Sequence, residues 1–296
     1  MNIHRGIVSR TTPLTPTLRR VTLEGPGIAD FLSTGIGDEY VRVFFPHGDD
    51  PTEVSLPVPE GDWWATPPGA PEAPMRTYTI SGVRPHVGEV DIDFVIHRTG
   101  IAGPWAANAR PGHVIGLNSP TGLYAPPADT TWQVLVSDLT GLPAVARIAA
   151  GIRAGIRTRI VLEVPDENDR VEFAVPENVE VTWVIGGNGH GPSALGQVVR
   201  SIVDARLPLA EGYVWVAGET VALRDVRAYL RRELGLSAAR FKVIGYWTPI
   251  ENWTSKYADL PETVRRELDA IWVDTPHDEP EDVQVRFEAR LNQLGL

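Results

Sequence analysis

Residues 75–80 read Met-Arg-Thr-Tyr-Thr-Ile. Side chains alternate across a strand, so Arg76 and Tyr78 project to one face while Thr77 and Thr79 point the other way. A guanidinium is a planar cationic fork for a phosphate, and a tyrosine ring is a plate for a flat heterocycle. Those are the two needs of a flavin dinucleotide. Taken alone, the pair is also an ordinary contact on a half-buried strand, and the rest of the chain has to decide.

Other chemistries find less support. With no cysteine there is no thiolate nucleophile, disulfide, cysteine-ligated iron–sulfur cluster or redox dithiol. The seven histidines show no i, i+4 pair and no zinc-like set, so no metal site is expected. No G-x-S-x-G is present, which disfavours a nucleophile-elbow hydrolase. Asp91 and Asp93 share a strand face and are expected as a solvated face, not an acid–base pair. The glycine-rich run at 186–191 lacks G-x-G-x-x-G spacing, because Pro192 stands where the third glycine belongs, and is expected as a flexible turn. A net charge of -11 argues against nucleic acid or an anionic membrane surface as partner. No run approaches a membrane span and the N-terminus lacks a signal-type apolar core. A cytoplasmic monomer is the expectation.

The elements that must position these residues fall into two textures. A chain of 296 residues accommodates two domains. Period-two patterns at 6–10 and 18–23, around a proline turn, predict antiparallel strands, and 39–45 predicts another. Residues 47–74 read as a long excursion loop carrying Trp63 and Trp64. After the Arg76 strand, residues 89–97 alternate cleanly. Gly103-Pro104-Trp105 then opens a short helix, and two strand-and-turn units close the region. Many short strands with Gly/Pro turns predict a small antiparallel β-barrel. Past Pro127, strands at 132–137, 158–164, 179–185 and 213–217 alternate with helical patterns at 142–154 and 221–234, with a further strand at 241–245. That predicts a parallel sheet of the Rossmann-like α/β kind. The tail ends in a helical pattern at 283–294. The expected domains are therefore 1–127, 128–250 and a helical extension at 251–296.

Four landmarks stand in order: Arg76-Thr77-Tyr78-Thr79; His97 followed by Gly103-Pro104-Trp105-Ala106; Ser137-Asp138-Leu139-Thr140 leading to Pro143; and Trp215-Val-Ala-Gly218-Glu219, followed by Gly245-Tyr-Trp247. Together, over nearly the whole chain, they resemble the siderophore-interacting protein family of flavin-dependent ferric-siderophore reductases, within the ferredoxin reductase-like oxidoreductases. The resemblance implies an FAD-binding barrel followed by an NAD(P)H-binding domain. It implies that Arg76 clamps a flavin phosphate, with Thr77 beside it, and that Tyr78 stacks on the isoalloxazine. Thr79 would offer the catalytic hydrogen bond near N5. Gly103, Pro104 and Trp105 would present backbone N–H groups to the pyrophosphate, and His97 would help wall the flavin site. Asp138, Thr140, Gly218 and Glu219 would border the nucleotide crevice, with Trp247 covering the flavin or guarding the nicotinamide position; a plain core tryptophan is the other reading of Trp247.

The departures from the family pattern are specific. The usual phosphate loop carries Ala and then Ser or Thr between Pro and Trp. Here Pro104 meets Trp105 directly, so Thr99 or backbone must replace a hydroxyl donor. Ser137-Asp138-Leu139-Thr140 stands for the usual Gly-Asp-Glu-Thr, and Thr248 for the usual Arg. The implied activity is reduction of the iron of a ferric siderophore with electrons from NAD(P)H or ferredoxin, and Arg42, Arg98 and Lys256 are candidates to meet an anionic siderophore. The alternatives are a general flavin or quinone reductase on the same fold, and a non-catalytic flavin- or siderophore-binding protein.

Overall fold

The computed structural model describes residues 2–294 apart from 49, 61–62, 189–190, 205, 249–258 and 274–279. Lys256 and part of the 186–191 turn lie outside these residues. Two compact units result: Met1–Tyr124 with Thr140–Arg153 and Asp166–Glu177, and Ala125–Leu139 with Ala154–Pro165 and Asn178–Leu296.

In the first unit, β1 (Ile3–Pro13), β2 (Leu18–Glu24), β3 (Tyr40–Phe44), β6 (Met75–Arg84), β7 (Glu89–Val95) and β8 (Val114–Asn118) close into a barrel in the order β1-β2-β7-β6-β3-β8. All pairings are antiparallel. Alternation fills the interior: Val21, Leu23, Val41, Val43, Ile80, Ile92, Phe94, Ile115 and Leu117 form one buried cluster. A short helix α1 (Pro26–Ala29) follows β2, and α2 (Ala102–Asn108) follows β7. The excursion loop contains a small hairpin, β4 (Val58–Glu60) with β5 (Trp63–Ala65). From that hairpin Trp64 meets Phe44 edge-on at 5.7 Å.

The barrel's outer wall corrects the expectation for Asp91 and Asp93. Both are buried and paired rather than solvated. Arg84 donates to Asp91 at 2.6 Å and to Glu89 at 2.8 Å, Arg20 donates to Asp93 at 2.7 Å, and Arg10 reaches Glu89. Burial alone would raise the Asp91 carboxyl, but hydrogen bonds from Arg84 and Thr22 hold it below the ordinary value. Hydrogen bonds from Arg10 and Arg84 pull Glu89 down to about 2.

In the second unit, β9 (Trp132–Asp138), β10 (Arg157–Val164), β11 (Val179–Ile185), β12 (Gly212–Glu219) and β13 (Phe241–Trp247) form a parallel sheet in the order β11-β10-β9-β12-β13. Every residue of β9 is buried, as its unbroken apolar run requires of a strand covered on both faces. The helix after β9, α3 (Leu142–Ala150), groups with the first unit. Helices α4 (Leu195–Ile202), α5 (Thr220–Ala228), α6 (Glu262–Val273) and α7 (Pro280–Gln293) belong to the second. The helical tail is docked: Arg227 on α5 pairs with Glu288 on α7, both buried, and Arg231 donates to Asp282 at 2.6 Å. Among the described residues no helix is long and apolar enough to cross a membrane.

Two outcomes follow from the wall network. Glu89 and Asp91 have depressed folded pKa values, so their contribution is full above the ordinary carboxylate range near pH 4 and fades as the pH falls through the folded values, about 2 for Glu89. Urea midpoints should therefore drop steeply between those limits, and Glu89→Gln should flatten the slope. Arg84→Ala leaves Asp91 without its main donor and, discounted for the exposure of Arg84, should destabilise the barrel by about 2 kcal/mol in urea unfolding.

Candidate functional site

Strand β6 takes part in two ladders. Its first half pairs with β3, from Phe44↔Met75 to Tyr40↔Thr79. Its second half pairs with β7 from Ile80↔Ile92 to Arg84↔Glu89, with a register shift between Ile80 and Gly82. Among the described residues the β6–β7 ladder goes no further than Ile80↔Ile92, although β6 begins at Met75 and β7 continues to Val95. Residues 76–79 thus lie on a stretch of barrel wall where one side of the strand has no neighbouring ladder.

The expected ligands sit on that stretch in different states. Thr79 is buried, at 6% exposure. Tyr78 is half-buried, its ring 4.5 Å from that of Phe94 and tilted by 45°. Burial pushes the Tyr78 phenol up to about 12, against the opposing charge of Arg76. Thr77 is exposed and accepts a long 3.5 Å hydrogen bond from Arg42 across the β3 ladder. Arg76 is exposed, and its Nη1 turns back onto the carbonyl of Met75 at 2.7 Å. No carboxylate pairs with Arg76 among the described residues, so the guanidinium retains its capacity for an anion while the phosphate clamp is not preformed.

The helix-start expectation needs correcting in part. Helix α2 begins at Ala102, which puts Pro104 in the third position, and the Trp105 N–H donates to the Ile101 carbonyl at 3.1 Å. Neither residue has a free N–H to offer a pyrophosphate. The Trp105 indole packs into the barrel core against Phe45 and Phe94, with ring centres 5.4 and 5.6 Å away. Gly103 has a different role: a Cβ there would lie 2.7 Å from the His97 carbonyl, so glycine lets the helix settle on that strand end. His97, Arg98 and Thr99 are exposed.

The second unit gathers Asp138, Gly218, Glu219 and Trp247 at the carboxyl ends of β9, β12 and β13. Open parallel sheets take ligands at this edge, where the strand order reverses. The Trp247 Nε1 donates to Asp138 Oδ2 at 2.7 Å, and its carbonyl accepts from Thr220 Oγ1 at 3.0 Å. Gly218, at φ 154°, lies so close that a Cβ would fall 2.8 Å from Asp138 Oδ2. Thr140 groups with the first unit.

Sequence reasoning missed Glu163. It ends the apolar run of β10, is buried, and accepts from the Ala194 N–H at 2.6 Å and Ser193 Oγ at 2.9 Å at the start of α4. Burial raises its carboxyl, with Asp138 and Glu219 adding to the rise. Glu219 is likewise raised by burial and by Asp138. Gly187 closes over Glu163, a Cβ there falling 2.4 Å from its carboxyl carbon. The described part of the glycine run therefore wraps the protein's own carboxylate. An acidic residue within the apolar second half of β10 was the available signal. Sequence reasoning also missed the Glu39–Arg147 pair, at 2.8 Å.

A closed antiparallel barrel preceding a parallel nucleotide-type sheet defines the ferredoxin reductase-like class. The solved ferredoxin NADP+ reductase of Neisseria gonorrhoeae with bound FAD and NADP shares this fold, with a TM-score of 0.59 at 12% identity over 83% of this chain and 100% of that one. Within the class the relationship is closer: residues 7–124 match the siderophore-interacting FAD-binding domain and residues 130–249 the siderophore-interacting protein domain. The ferric vibriobactin reductase ViuB of Vibrio cholerae is 30% identical over 237 residues, covering 78% of this chain and 83% of ViuB. The crystal structure of a siderophore utilization protein from T. fusca superposes with a TM-score of 0.72 at 33% identity, over 85% of this chain and 94% of that one. The chain belongs to the siderophore-interacting protein family.

The Trp247–Asp138 contact gives a direct check on the carboxyl edge. Trp247→Phe removes one donor from a buried carboxylate and should destabilise the second unit by about 2 kcal/mol in urea unfolding; an unchanged midpoint would contradict it.

Proposed function

We propose that this protein is an FAD-dependent oxidoreductase that takes electrons from NAD(P)H and reduces the iron of a ferric siderophore. The observation that carries the reading is the 76–79 stretch of β6: an arginine that, among the described residues, pairs with no carboxylate, with a tyrosine ring and a buried threonine on one run of barrel wall that has, among those residues, no ladder to β7. The donor set suits the cofactor, since a dinucleotide needs a cation for its phosphates and a face for its ring. Family membership and the reductase relative support the chemistry.

A bound flavin would supply the chemistry that joins a two-electron donor to a one-electron acceptor. Arg76 would exchange its hydrogen bond to the Met75 carbonyl for a charge-assisted pair with phosphate oxygen. Tyr78, backed by Phe94, would offer its ring to the isoalloxazine. Thr79, next along the strand, would offer a hydrogen bond to the flavin edge. Thr77 and Arg42 continue the polar surface on the outer side of the strand. His97 and Thr99, at the end of β7, wall the site, and Gly103 holds the strand end in place. In the second unit, Asp138, Gly218, Glu219 and Trp247 shape the edge that receives the pyridine nucleotide. Iron(II) is held less tightly than iron(III) by hard-oxygen chelators, so reduction releases the metal.

Purified protein should be yellow, should bleach anaerobically with NADH or NADPH, and should regain colour on addition of a ferric tris-catecholate or tris-hydroxamate. Bleaching only by reduced ferredoxin would replace the donor in this reading; bleaching by none would replace it with a carrier. Reoxidation by quinone and not by ferric chelate would favour a general reductase. Arg76→Ala should lose flavin during purification, and retention equal to wild type would remove Arg76 from the phosphate site.

A further inference from the structure

The register shift in β6 leaves a loose end that a distant residue takes up. Where the ladder to β3 gives way to the ladder to β7, the peptide group of Ile80 is held from two directions. The Ile80 N–H donates to the Glu39 carbonyl at 3.0 Å, and the Ile80 carbonyl accepts from Arg147 Nη1 at 2.8 Å. Arg147 lies on α3, which follows a strand of the second unit in the chain but packs with the first. Its other nitrogen, Nη2, donates to Glu39 Oε1 at 2.8 Å.

Glu39 is an unusually well-held anchor for this arginine. Its side chain is 0% exposed, against 20% for Arg147. The same Oε1 accepts from Ser33 Oγ, and Oε2 accepts from the Thr34 N–H and Oγ1, each at 2.6 Å. Burial alone would raise this carboxyl, yet these donors and Arg147 bring it below its ordinary value, so it stays charged. The loop carrying Ser33 and Thr34 is pressed onto α3 at Gly37, where a Cβ would fall 2.6 Å from Ile148 Cγ1. Helix, loop and strand are thus locked through one guanidinium, whose planar fork can address the carbonyl and the carboxylate at once.

Thr79 and Tyr78 immediately precede the tethered peptide. We propose that Arg147 is a positioning residue for the cofactor strand: by holding the Ile80 carbonyl against Glu39 it fixes the backbone of Tyr78 and Thr79 in the conformation that receives the flavin. This deepens the flavin reading above and rests on it. A lysine has one ammonium and no fork, so it holds one acceptor well and the other poorly.

The test uses full-length wild type, Arg147→Lys and Arg147→Ala. In ligand-free protein, amide hydrogen exchange at residues 79–82 should quicken about tenfold in Arg147→Ala and less in Arg147→Lys, with β1, β2 and β8 unchanged. FAD titration should give a Kd about tenfold weaker for Arg147→Ala, intermediate for Arg147→Lys, and a shifted visible flavin spectrum in both. Wild-type exchange, Kd and spectrum in either variant would overturn the proposal, as would faster exchange spread evenly over the barrel. Should Arg147→Ala fail to fold, the graded response of Arg147→Lys decides. Absence of FAD binding by wild type would instead sink the flavin reading, while the ligand-free exchange still reports whether Arg147 holds the strand.

Discussion

Strand β6 must serve two neighbours that do not lie in one continuous ladder, and much of the first unit is arranged around that constraint. Up to Thr79 it belongs to β3; from Ile80 it belongs to β7. A backbone that changes partners leaves polar groups outside regular pairing, and buried backbone groups are almost always satisfied somewhere. Here the satisfaction comes from the Glu39 backbone carbonyl and from the Arg147 guanidinium, which the Glu39 carboxylate holds in turn. A bulge of this kind re-aims side chains and interrupts pairing, which is why such irregularities gather beside binding sites. The residues proposed to hold the cofactor stand directly before it.

The two units handle charge in opposite ways. On the barrel wall, Arg10, Arg20 and Arg84 interleave with Glu89, Asp91 and Asp93, so each carboxylate has a cationic donor, and the carboxyls of Glu89 and Asp91 are held below their ordinary values. At the carboxyl edge of the parallel sheet, Asp138, Glu163 and Glu219 gather with an indole and backbone N–H groups as partners, and the two glutamates are raised. The first arrangement is a stabilising lattice. The second is a candidate site with acidic walls, since perturbed carboxylates at a strand-order switch are a usual mark of function.

The architecture was legible because its signals were local. Alternation in 89–97 and the unbroken apolar run of β9 gave the barrel and the parallel sheet, and β11 fell on the residues its pattern marked. Short or polar elements were not: α4 is only eight residues long, and α6 and the β4–β5 hairpin lie in segments rich in charge or breakers. In the candidate site, residue types were readable and their states were not. Arg76 and Tyr78 share a strand face by rule, yet one is exposed and the other lies against Phe94, because a strand at a barrel rim passes from solvent to core within two residues. Trp105 looked like a phosphate-loop residue, but the start of α2 at Ala102 turned its N–H into a helical donor, and its ring packs against the core. Arg147 and Glu39 lie 108 residues apart, and no short-range pattern connects them.

The central claim is that β6 between Arg76 and Ile80 receives a flavin. Amide hydrogen exchange of the wild-type protein, with and without saturating FAD, tests it most directly. The account predicts that FAD slows exchange in residues 76–80 and at the end of β7 around His97. FAD binding that leaves those amides unchanged while protecting another part of the chain would contradict it.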